Sequence, residues 1–118
     1  MITEQDINAF NFGNEVDMDE YQKKARKFAI YDPKFKIVYP TLGLTSEAGE
    51  VADKIKKWLR DGDANKQEIA GEVGDCLWYI AILAEELGFT LSEIAIMNLE
   101  KLGNRKKRGK LRGSGDNR

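Results

Sequence analysis

The stretch from Glu47 to Asp75 states one four-residue phrase twice, as Glu47-Ala48-Gly49-Glu50 and as Glu72-Val73-Gly74-Asp75, each reading Glu-x-Gly-acid. Residues three apart share a helix face, so on helices each phrase sets two carboxylates side by side. The surroundings have helical spacing. Leu44, Ala48, Val51, Ile55 and Leu59 form one apolar stripe, and Ile69, Val73, Cys76, Leu77 and Ile80 form another. The acids flank both stripes at the same angular offset, so the two segments are quasi-repeats that turn four acids toward one place. Each phrase also puts a glycine in a helix interior, which costs about 1 kcal/mol relative to alanine and predicts close approach of the two helices.

Around this pair the chain is expected to be all-α, a bundle of four helices. Residues 1–15 carry Phe10 and Phe12 among Asn and Gly without a period and are expected to form an arm. Met18, Tyr21, Ala25 and Phe28 mark a first amphipathic helix, with Lys23, Lys24, Arg26 and Lys27 on the other side and Asp32-Pro33 ending it. Residues 32–41, between Pro33 and Pro40, are expected to be a loop holding Lys34, Lys36 and Tyr39. The second helix is expected over Leu42 to Arg60, stopping at Asp61-Gly62. Asn65 with Glu68 reads as a capping box for the third helix, which Gly88 closes. Thr90 with Glu93 is a second box, opening a fourth helix that runs to Lys107.

The stripe of the fourth helix begins with Leu91 and Ile94 and continues as Asn98, Lys101, Arg105 and Arg108, so an apolar face becomes a cationic one. Residues 16–108 thus form one helical domain, and 109–118 a flexible, basic, Gly-rich tail. The run Cys76 to Ala84 is apolar around its whole circumference, more than a four-helix monomer buries easily, which predicts a dimer or tetramer.

Charge narrows the function classes. The 118 residues hold 19 Lys plus Arg against 20 Asp plus Glu, so there is no global attraction to nucleic acid, despite the local cluster Lys106, Lys107, Arg108, Lys110 and Arg112. One cysteine excludes an intrachain disulfide, and Cys76 reads as a packed small hydrophobe. Neither a signal peptide nor a membrane span is visible, and a cytoplasmic protein without membrane contact is expected.

Four carboxylates at contact distance cannot all stay ionised without a cation. All the candidate ligands are oxygen and the chain has no histidine, which favours Mg2+, with Mn2+ as the substitute, and disfavours a di-iron bundle. A hard cation beside a stripe of Lys and Arg is suited to a phosphate-bearing substrate. Asn98 can bond a sugar or phosphate oxygen, and Tyr79, one turn beyond Asp75, can donate its hydroxyl. The expected chemistry is phosphoanhydride hydrolysis by a water acidified by the ion, with one of the glutamates taking its proton. Plainer roles exist for each residue. Glu47 and Glu50 suit a solvated face, with Glu50 and Lys54 as an i,i+4 pair; Lys101, Arg105 and Arg108 suit the end of a helix dipole; Tyr79, Trp78 and Trp58 suit a core or interface.

The pattern Glu47-x-x-Glu50, twenty-one residues, then Glu72-x-x-Asp75 resembles the motif of the all-α nucleoside triphosphate pyrophosphatases. With Ser46 to Asp53, Gly71 to Tyr79 and Asn98 to Lys101 as context, the chain is most similar to MazG-type proteins, over residues 16–118. This resemblance implies a MazG-like bundle in which Glu47, Glu50, Glu72 and Asp75 bind Mg2+ and a (d)NTP is cut to a nucleoside monophosphate and pyrophosphate. It further implies that Tyr79, Asn98, Lys101 and Arg105 contact the nucleotide, in homodimers or homotetramers. Ser46 stands where many relatives carry another glutamate. The alternative is a non-catalytic helical module that binds nucleotide or metal for regulation.

Overall fold

The computed structural model describes residues 3–5 and 15–118; the greater part of the expected N-terminal arm lies outside them. Over residues 15–118 four α-helices and one 3-10 turn follow in order: α1 (Met18–Arg26), the turn (Pro33–Phe35), α2 (Val38–Asp61), α3 (Lys66–Glu86) and α4 (Leu91–Lys107). Among the described residues there is no strand, and no helix is long and apolar enough to cross a membrane.

Local chemistry sets most boundaries. Asp17 caps α1 by accepting from the Glu20 N–H at 2.8 Å. Thr90 and Glu93 form the full reciprocal box at the start of α4. At α3 Asn65 accepts from the Gln67 and Glu68 N–H groups, the cap without the reciprocal glutamate bond. Gly62, at φ +83°, ends α2 in the left-handed region and donates to the Trp58 carbonyl at 2.8 Å.

Two boundaries differ from expectation, the first being that α1 ends at Arg26, well before Asp32-Pro33. The second helix begins at Val38, not Leu42, with Pro40 as its third residue. A proline in the first turn forfeits no hydrogen bond, because the leading N–H groups have no intrahelical acceptor. Pro40 therefore sits inside the helix, buried, and adds a turn that carries Tyr39.

Helices α2 and α3 form an antiparallel hairpin, and α1 crosses α3 and the start of α4. Gln22 ties this crossing together. It is 5% exposed, donates to the carbonyls of Ala81 at 3.0 Å and Phe89 at 3.1 Å, and accepts from the Leu91 N–H at 3.2 Å. Trp78 adds a bond from its indole N–H to the Ala25 carbonyl. Ala81, Ala84 and Leu91 form the core cluster, with Tyr21 and Ile94 against it.

The apolar stripe of α2 is only partly covered, with Leu44 and Val51 half-buried. Leu59 is 84% exposed, and Leu42, Val38 and Ile55 also face outward. Leu99, Ile96 and Met97 on α4 are likewise exposed, Leu99 at 67%. Among the described residues α3 is the helix packed along α2, and one neighbour cannot cover a stripe this wide.

Candidate functional site

The hairpin register builds the site. On α2, Tyr39, Gly43, Glu47, Glu50 and Lys54 recur every three or four residues along one face, and on α3 so do Glu68, Glu72, Asp75 and Tyr79. The two faces meet head to tail. Gly43 lies against Tyr79, Glu47 meets Glu72 and Asp75, and the Lys54 ammonium pairs with Glu72 at 3.8 Å and Glu68 at 4.0 Å.

Carboxylate oxygens of Glu47, Glu72 and Asp75 all lie within 4.8 Å of one another. Oxygens sharing one octahedral Mg2+, at metal distances of about 2.0–2.1 Å, lie roughly 3–4 Å apart, so a slight inward movement of these side chains closes them on an ion. The charge is in excess. The Glu47 carboxyl is held above its ordinary range by partial loss of water, then by repulsion from Asp75 and Glu72, a hydrogen bond with Glu72, and weaker repulsion from Glu50. An oxygen-only donor set with negative charge in excess of its Lys54 partner fits a hard divalent cation.

Glu50, the fourth expected acid, is exposed, and its oxygens lie outside the group of three. Lys54 pairs across the hairpin, not along α2 with Glu50 as the plainer solvated-face role had it. The glycines within the two phrases also differ from expectation: a β-carbon at Gly49 or Gly74 would meet open space. Close approach occurs at Gly43, where an added β-carbon would overlap one edge of the Tyr79 ring.

Tyr79 is beside the acids. Burial first, then Tyr39, Glu47 and Asp75, push its phenol pKa up, which keeps it a hydrogen-bond donor. Tyr39 is close enough to raise the Tyr79 phenol and stacks on Tyr31 at 4.9 Å between ring centroids. Burial and then the Asp75 charge also raise the Tyr21 phenol. Sequence reasoning missed Tyr39 and Tyr21 as neighbours of the acids. A helix begun before Pro40 would have found Tyr39, which then lies two turns from Glu47 on the same face.

The cations of α4 stand apart from this group. Asn98 is exposed, Lys101 half-buried and Arg105 5% exposed. Among the described residues, the ion pairs of Lys101 and Arg105 are with Asp116 and not with the four acids. An open cleft of about 740 Å³ lies at the Gly62 end of the hairpin; its walls include Trp58, Lys57, Asn65 and Ile69, together with Lys54 from the edge of the acid group.

A family model described as "MazG nucleotide pyrophosphohydrolase domain" matches residues 40–109, a span that includes all four acids and ends at Gly109. The chain is also 45% identical over 112 residues to "Gene 37 protein" of Mycobacterium phage L5, an alignment covering 86% of this chain and 98% of that protein. No solved structure matches the chain.

Proposed function

Since this chain belongs to the MazG nucleotide pyrophosphohydrolase family, we propose that it is a Mg2+-dependent nucleoside triphosphate pyrophosphohydrolase, converting a (d)NTP and water to a (d)NMP and pyrophosphate. The observation that carries this reading is the convergence of Glu47, Glu72 and Asp75 from two helices onto one point. Those three residues would hold the ion, with Glu50 one turn away on α2. When bound, Mg2+ supplies positive charge to the triphosphate oxygens and makes a water more acidic. One of the glutamates takes the proton of the attacking water. Tyr79 donates its hydroxyl to the substrate, Asn98 bonds a sugar or phosphate oxygen, and Lys101 and Arg105 take up phosphate charge. Trp58 in the wall of the cleft offers a face for the base.

A homodimer or homotetramer is part of this proposal. The exposed stripes of α2 and α4 need a cover that the single chain lacks, and association through them is the means of bringing α4 cations and α2–α3 acids to one substrate. The test is release of pyrophosphate and nucleoside monophosphate from a panel of NTPs and dNTPs, including dUTP and modified bases, with Mg2+ and then with chelator. Release that stops on chelation is expected. A folded oligomer silent on the whole panel would overturn the hydrolase reading and leave the non-catalytic binding module.

A further inference from the structure

Arg105 occupies the last turn of α4, where a long cation normally reaches water, yet it is 5% exposed. A guanidinium withdrawn from water needs a fixed anionic partner. Among the described residues its partner is one residue of the following segment: Arg105 Nη2 donates to the backbone carbonyl of Asp116 and lies 3.3 Å from its Oδ1. Lys101, one turn earlier, donates to the same Oδ1 at 2.7 Å. The Asp116 carboxyl is held below its ordinary range, first by the hydrogen bond from Lys101, then by its charge and by Arg105.

The segment is shaped to deliver that carboxylate. Gly109, Gly113 and Gly115 have φ of +68°, +139° and +85°, a region that side chains avoid, and they turn residues 109–118 back along α4. The Arg118 guanidinium donates to the carbonyls of Lys110, Leu111 and Gly115, and Arg108 donates to the Arg118 carbonyl at 2.6 Å. The closed arrangement is under-neutralised, since among the described residues two cations share one carboxylate. A phosphate or pyrophosphate group, with two or more charges and several acceptor oxygens, satisfies the pair better.

We propose that Lys101 and Arg105 form an oligophosphate-binding site that the chain's own Asp116 fills as an internal substitute, so that binding of phosphate groups displaces the 109–118 segment. In biological terms this rests on the nucleotide-hydrolase reading, in which the displacing group is the substrate's phosphate chain. Occupancy of the site by Asp116 lowers apparent affinity in proportion to the fraction of molecules that are closed.

The probe is inorganic pyrophosphate in the presence of chelator, titrated calorimetrically into the full-length protein, so that the acid group and turnover play no part. Asp116→Asn removes the competing carboxylate but also changes net charge. Gly115→Ala opens the segment without changing charge, because alanine is strained at φ +85°. Both variants are expected to bind pyrophosphate about two- to fivefold more tightly, the scale of an exposed ion pair, and Lys101→Ala in either background to weaken binding. Unchanged affinity in Gly115→Ala would overturn the proposal, reducing any gain in Asp116→Asn to net charge. Absence of binding at millimolar pyrophosphate in all variants would overturn it too. A wild-type protein that hydrolyses no nucleotide, with both variants binding more tightly, would remove the hydrolase reading and leave the displaceable segment standing.

Discussion

The α2–α3 acids and the α4 cations are built in opposite ways. The acids are gathered by two rigid helices in register, which force like charges together and leave them under-compensated, with Lys54 bridging Glu68 and Glu72. The cations lie on one helix and receive their counter-ion from a glycine-rich segment of coil. A charge cluster held by helix register is stiff and waits for an external ion. One neutralised by coil can exchange its partner, because the coil has little packing to lose.

The strongest way to break this contrast is at the acids. Asp75→Asn is expected to lower Mg2+-dependent turnover by about 10²-fold or more, with helicity by circular dichroism unchanged. Glu50→Gln separates the present geometry from a four-ligand site. A loss as large as that of Asp75→Asn would mean that Glu50 swings onto the ion, and a mild loss would mean that three acids suffice.

Stiffness of the register is tested by two glycines of the same helix. Gly43→Ala drives a β-carbon into the Tyr79 ring, displacing a phenol that lies beside Glu47 and Asp75. A loss of about 1–3 kcal/mol is expected for such overpacking, read as a fall in Tm of roughly 4–8 °C per kcal/mol, together with weakened nucleotide affinity. Gly49→Ala meets open space and should stabilise α2 by up to about 1 kcal/mol. A destabilised Gly49→Ala protein would place that face inside an assembly.

The smallest effect concerns pH. The folded-state pKa of Glu47 is raised, so the metal-free fold binds this proton more tightly than the unfolded chain does. Its favourable contribution is therefore full at acidic pH and is lost as pH rises from the ordinary glutamate range through the raised value. In the proposed site Mg2+ would replace the proton, so its stabilisation should be larger near neutrality than at mildly acidic pH. At ten times its dissociation constant the ion contributes about 1.4 kcal/mol. Thermal melts across pH, with and without Mg2+, check the sign; a Mg2+ increment that grows on acidification would remove Glu47 from the ion site.

Local rules suffice for everything the sequence determined by itself. Asp17, Asn65 and Thr90 cap helices within three residues of their own positions, Gly62 and Gly88 provide left-handed exits, and spacings of three and four put acids in pairs on α2 and α3. The paired Glu-x-Gly-acid phrases announce the family for the same reason, being short-range patterns. Where local rules mislead, a distant neighbour is the cause or a rule has been read too strictly. Pro40 looks like a stop because proline breaks helix interiors, yet it is harmless in a first turn, and Tyr39 was hidden by that boundary. Only the tertiary structure decided that Glu47, and not Glu50, joins Glu72 and Asp75, that the close approach falls at Gly43 rather than at Gly49 or Gly74, and that Lys54 pairs across the hairpin. Those outcomes depend on how α2 slides and rotates against α3, a long-range choice that no i,i+4 spacing encodes. The burial of Arg105 beneath Asp116 is of the same kind, set by a chain reversal over ten residues and by the need of a desolvated cation for an anion within reach.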